Sequence, residues 1–110
     1  MKVQAITRYV RISPRKVAEV TREIQGLPAT RALDLVQVMP LKAARLVTKT
    51  LKSAIANAEN NNNLSRETLK VKEAVAGESV TIKRGSSRAR GSSSLLRKRT
   101  SHIKIILSDE

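Results

Sequence analysis

The side chains in this sequence best suited to chemistry are its cations, and the chemistry they suit is the neutralisation of phosphate. From Ser79 to Ser108 there is no acidic residue, yet Lys83, Arg84, Arg88, Arg90, Arg97, Lys98, Arg99 and Lys104 all fall there, interleaved with Gly85, Gly91 and a serine-rich stretch. Like charges this dense repel by on the order of a few kcal/mol at contact distance in a partly desolvated setting unless a polyanion lies between them. Phosphate is the obvious neutraliser. A second group stands near the N-terminus. Arg8 and Arg11 precede Ser13-Pro14, and Arg15 and Lys16 fall in the first turn of the helix that this dipeptide opens. The helix macrodipole disfavours cations there by about several tenths of a kcal/mol, so their placement breaks a local rule in the way a functional site does.

Other chemistries fit poorly. His102 is the only histidine and there is no cysteine, too few ligands for a zinc site and no basis for a disulfide framework. His102 has no neighbouring carboxylate or cysteine in sequence, and no glycine-rich phosphate motif opens a helix. The expectation is therefore no enzyme and no cofactor, with His102 a strand histidine bonded to backbone or RNA. Tyr9 is the sole aromatic side chain of the Phe, Tyr, Trp set, which excludes a stacking platform of several rings and leaves phosphate, sugar and shape to carry recognition.

Composition agrees. Twenty-two Lys and Arg against nine Asp and Glu give a net charge of +13, which favours nucleic acid first and an acidic membrane second. No stretch approaches the roughly 20 apolar residues of a membrane span, and Met1 to Arg11 lacks the apolar core of a signal peptide. A cytoplasmic protein with no membrane partner is expected. Membrane binding through a helix would need a bulky apolar face that the sequence lacks. A DNA-architectural protein with basic arms is the nearer rival, but Gly85-Ser86-Ser87-Arg88 offers no apolar wedge.

The elements that must hold these cations follow from periodicity. Lys2 to Arg11 alternates, with Val3, Ala5, Thr7 and Tyr9 on one side and Lys2, Gln4, Ile6, Arg8 and Val10 on the other, which predicts a strand. Ser13 as N-cap and Pro14 at the first helical position open a helix whose Val17, Val20, Thr21 and Ile24 recur at helical spacing, with Gly26 at its left-handed end. A short helix is expected over Thr30 to Met39. A third, the clearest, carries Ala44, Val47, Leu51, Ala54 and Ala58 on one stripe and Lys42, Arg45, Lys49 and Lys52 on the opposite one. The run Asn60 to Asn63 ends it.

Beyond Leu64 the pattern becomes extended, with Gly77 marking a bulge or bend. Pairing Leu69–Arg84 with Leu95–Leu107 makes a hairpin whose wide turn lies between Arg84 and Leu95. It would reach roughly 25–35 Å at about 3.3 Å per residue. The fold class is α+β: a small antiparallel sheet packed on three helices, with a long basic β-hairpin extension. We read 1–110 as one domain, with a globular core of 1–79 and 102–110 and an arm of 80–101.

Four separated motifs now resemble the bacterial large-subunit ribosomal protein twenty-two family, over essentially the whole chain. They are Val10-Arg11-Ile12-Ser13-Pro14-Arg15-Lys16, Lys52-Ser53-Ala54-Ile55-Ala56-Asn57-Ala58-Glu59-Asn60, Lys83-Arg84 followed by Arg88-Ala89-Arg90-Gly91, and Lys98-Arg99-Thr100-Ser101-His102-Ile103. The resemblance implies a globular part on the outside of the large subunit near the peptide-tunnel exit, and a hairpin running inward through several domains of ribosomal RNA. Its tip, Arg84, Gly85, Ser86, Ser87, Arg88, Ala89, Arg90 and Gly91, would line the tunnel beside ribosomal protein four and the nascent peptide. The RNA-binding candidates are Arg8, Arg11, Ser13, Arg15, Lys16, Lys83, Arg84, Arg88, Arg90, Arg97, Lys98, Arg99 and His102. The implied role is architectural, joining RNA domains early in subunit assembly. The chain departs from the family at Ser87, where proline is common, at Ser92 and Ser93, where another arginine is usual, and at Asn60 and Asn61, near a frequent histidine. A less cationic tip follows.

Overall fold

A computed structural model describes residues 2–87 and 93–109. The elements run β1 (Lys2–Val10), α1 (Pro14–Ile24), α2 (Ala29–Val38), α3 (Lys42–Asn62), a 3₁₀ turn at Arg66–Thr68, β2 (Lys70–Ser87) and β3 (Ser93–Ser108). All pairings are antiparallel in the order β1-β3-β2, so the last strand in the chain is the central one. The α+β expectation holds. Helix α3 packs on β1 and β3 and α1 on β2. The core between the layers is aliphatic: Val3, Ala5, Val71, Ala74, Ile103, Ile105 and Leu107 from the sheet meet Val17, Val20, Ile24, Val47, Leu51 and Ala54 from the helices.

Local chemistry explains the helix ends. Gly26 has φ +88°, and a Cβ there would meet nothing, so glycine is required by conformation and not by space. Just past it the chain is stitched to the start of β2. Gly26 N–H donates to Val71 O (2.8 Å), Val71 N–H to Leu27 O (2.8 Å) and Ala29 N–H to Leu69 O (2.9 Å). Helix α3 runs through most of the asparagine tract, and only its last member stops it. Asn63 takes the left-handed conformation (φ 54°), and Leu64 N–H closes the end on Ala58 O at 2.9 Å.

Two strand expectations are corrected. The sheet is not bulged at Gly77, which pairs in register with His102; the shifts fall between Val71 and Glu73 and between Glu78 and Thr81. In β1 the alternation breaks between Thr7 and Val10, where one extra residue is inserted. Tyr9 absorbs it with φ 58° and turns outward, while Val10, expected on the polar side, is buried. A bulge shifts the period-two pattern by one, which no alternation of types reveals.

Strand β1 pairs with β3 only as far as Ser101, whereas the β2–β3 ladder continues to Ser87↔Ser93. The molecule measures 62 × 24 × 17 Å, with a radius of gyration of 16.9 Å against about 13 Å for a compact chain of this length. A two-stranded extension is the source of that length. Among the described residues no helix is long and apolar enough to cross a membrane.

Candidate nucleic-acid interface

The segment Arg11-Ile12-Ser13 joins β1 to α1, and its geometry is set from three sides. Ile12 is buried, the Lys42 Nζ donates to Arg11 O (3.1 Å), and the fully buried Ser101 Oγ donates to Ile12 O (3.0 Å). Ser13 occupies the N-cap of α1 as expected, but its side chain makes no capping bond, and Pro14 at N1 has no N–H to offer. The backbone N–H groups of Arg15 and Lys16 therefore lack intrahelical acceptors. Helix α3 starts beside it in the same way, capped by Leu41 without a side-chain bond, and neither helix has an acid in its first turn. Arg11, Ser13, Lys16, Leu41 and Lys42 line the cleft between the two helix starts, with Glu19 the one carboxylate on its wall. Two positive helix ends and three cations on one cleft suit an anion of phosphate size.

Ser101 is thus the peg that holds this connection. Ser101→Ala is expected to destabilise the fold by about 1 kcal/mol, because a buried carbonyl loses its donor. A thermal melt should show a loss of about 4–8 °C, and an unchanged midpoint would mean that the bond carries nothing.

The structure splits the N-terminal cations that looked contiguous in sequence. Arg8 does not join Arg11; it lies on the outer face of the sheet with Ile6, Val75, Gly77, His102 and Lys104. Arg15 is exposed on the first turn of α1 but does not line the cleft. Tyr9, at the bulge, donates its N–H to His102 Nδ1 (3.2 Å), and the two rings meet edge to face with centroids 5.0 Å apart and planes at 78°. A non-glycine residue in the left-handed region costs about 1–2 kcal/mol, so the imidazole helps hold a strained bend.

In the extension, β2 and β3 bring the arm candidates together in register. Lys83 stands opposite Arg97, Arg84 opposite Leu96, Ile82 opposite Lys98 and Thr81 opposite Arg99. The turn begins later than expected: Gly85, Ser86 and Ser87 continue the ladder, opposite Leu95, Ser94 and Ser93. The remaining tip candidates, Arg88, Ala89, Arg90 and Gly91, lie outside the described residues.

Lys104, read with the cations of the arm, lies on the outer sheet face, and Lys42, read on the cationic stripe of the third helix, borders the cleft; only the tertiary contacts reveal these positions. The ridge of Arg45, Lys49 and Lys52, exposed on α3 and continuous with Lys42, was legible as a cationic stripe but not as a neighbour of the cleft.

These features have relatives. The model of the family described as ribosomal protein L22p/L17e matches residues 5–108. The large ribosomal subunit protein uL22 of Akkermansia muciniphila is 51% identical over 110 residues, spanning 100% of this chain and 98% of that protein. Its counterpart in Opitutus terrae is 51% identical over 109 residues, 99% of this chain and 96% of the relative, and that of a Thermoanaerobacter species 49% identical over 110 residues, 100% and 99%. The cleft-forming segment and the basic hairpin both fall within the matched span, and the chain belongs to the ribosomal protein L22p/L17e family.

Proposed function

We propose that this chain is a structural constituent of the large ribosomal subunit, working in the cytoplasm, that binds large-subunit ribosomal RNA and contributes no catalysis. The observation that carries it is the acid-free two-stranded extension in which Lys83 opposes Arg97. So dense a run of cations repels itself in isolation and is relieved when phosphates line it. The cleft at the starts of α1 and α3 supplies a separate contact through Arg11, Ser13 and Lys16, with Arg15 beside it and Arg8 and His102 on the sheet face. Two cationic surfaces, one on the core and one on the extension, bridge different RNA segments, which is how a protein without enzymatic groups assists assembly.

The finer assignment is that the core (1–79 and 102–110) sits at the subunit surface and the arm (80–101) penetrates the RNA. Its tip, 84–91, then lines the nascent-peptide tunnel next to ribosomal protein four. It is supported by the family membership and by the length of the extension. The test is sedimentation of tagged protein through a sucrose gradient after a high-salt wash. Co-migration with the large subunit is the expected result. Recovery with the nucleoid, or at the top of the gradient, would overturn the reading, the former in favour of DNA binding.

A further inference from the structure

We infer that Tyr9 and His102 form a stacking site for one unpaired nucleobase of the RNA, on the open face of the sheet. The inference rests on the RNA-binding reading above and adds to it a base contact where only phosphate, sugar and shape were expected to carry recognition. The sequence excludes a platform of several rings, but the fold joins two rings 93 residues apart. Tyr9 is the only Tyr, Phe or Trp in the chain, and the residue is 62% exposed when burial was available one position on, at Val10. It is presented by a bulge in which a left-handed backbone, normally left to glycine, is accepted. The His102 edge-to-face contact fixes the ring's orientation. Nδ1 accepts the Tyr9 N–H, which leaves Nε2 as the ring nitrogen that can donate to a base or sugar oxygen.

The surroundings select the ligand. Gly77, opposite His102, leaves open space where a side chain would stand, which gives a flat group room beside the imidazole. Ile6 and Val75, 40% and 42% exposed, supply apolar contact, and Arg8 and Lys104 supply charge, with no carboxylate lining the recess. A planar apolar face next to an anion describes a nucleotide with its phosphate. An acidic peptide would satisfy the charges but leave the ring without a matching plane.

Because the chain has one tyrosine and no tryptophan, Tyr9 emission reports the site directly. The full-length protein is titrated with short unpaired adenine-rich RNA and with a blunt RNA duplex, binding being followed separately by anisotropy of end-labelled RNA. The expected result is loss of most Tyr9 emission as unpaired RNA saturates and little loss with duplex. Tyr9→Asn, which keeps a residue tolerant of the left-handed bend, is expected to bind unpaired RNA roughly 5- to 100-fold more weakly, with duplex affinity unchanged and Tyr9→Phe close to wild type. Saturating binding with unchanged emission, or equal affinities for the Asn and Phe variants, overturns the stacking site and leaves the RNA-binding reading standing. Failure to bind either RNA overturns both. Protection of Tyr9 from iodination in intact subunits but not in the RNA complex would assign this face to a neighbouring protein, and that too overturns the proposal.

Discussion

Glutamine at Lys83, Arg84, Arg88, Arg90, Arg97, Lys98 and Arg99 together is expected to weaken binding to deproteinised large-subunit RNA by roughly a hundredfold to a thousandfold near physiological salt. Each cation that neutralises a phosphate releases counterions, and the slope of log affinity against log salt should fall in magnitude by about 0.7–0.9 per contact. Seven lost contacts amount to about 5 to 6 on that scale, and the Arg88 and Arg90 pair alone to about 1.5. The arm contains no carboxylate between Ser79 and Ser108, so these changes break no ion pair within it. Removing seven positive charges from one acid-free segment relieves repulsion, and the thermal midpoint of the free protein should hold or rise. An unchanged salt slope in a folded variant would place the RNA contact elsewhere.

Ile105→Ala is expected to have the largest effect on stability. Ile105 is fully buried near the C-terminal end of β3, the central strand, paired with Ala5 on one side and Ala74 on the other, and faces the helices. With alanines on both flanking strands, no larger neighbour can move in, so the cavity stays open and the cost falls toward the upper half of the usual range, about 3–5 kcal/mol. A domain of this size is stable by only about 5–15 kcal/mol. The melting temperature should drop by more than about 10 °C, and saturating RNA should restore part of it, because RNA binds the folded form. Ile106→Ala, one residue along and half-buried on the opposite face, should cost less than about 1 kcal/mol. Equal losses at the two positions would refute the assignment of faces in β3.

Much of this was legible along the chain because it is local. The stripe Ala44, Val47, Leu51, Ala54 and Ala58 names its buried face through helical spacing alone, and all five are buried. Gly26 marks the left-handed end of α1 because few other residues tolerate that conformation. The β2–β3 hairpin joins segments adjacent in sequence, and its charge needs no fold to be noticed. The Ser13-Pro14 helix start was legible in position but not in chemistry: the serine caps nothing, and the unsatisfied N–H groups it leaves are what make the cleft attractive to an anion.

The helices and their inner faces, the paired basic extension and the family can all be read along the chain, because each rests on short-range spacing or on a motif read in order. Contacts between strands put β3 between β1 and β2, turn Tyr9 and not Val10 outward, part Arg8 from Arg11, and bring Arg8 to the recess that His102 lines. All of these depend on pairing β1 with β3 across nearly the whole chain. That register is selected by burying Val3, Ala5, Ile103, Ile105 and Leu107 together under the helices, and where one strand has a residue too many, the bulge goes where the backbone can bend and a partner can hold it. No pattern within a single strand carries that information, since the energy that decides it resides in the contact between two strands.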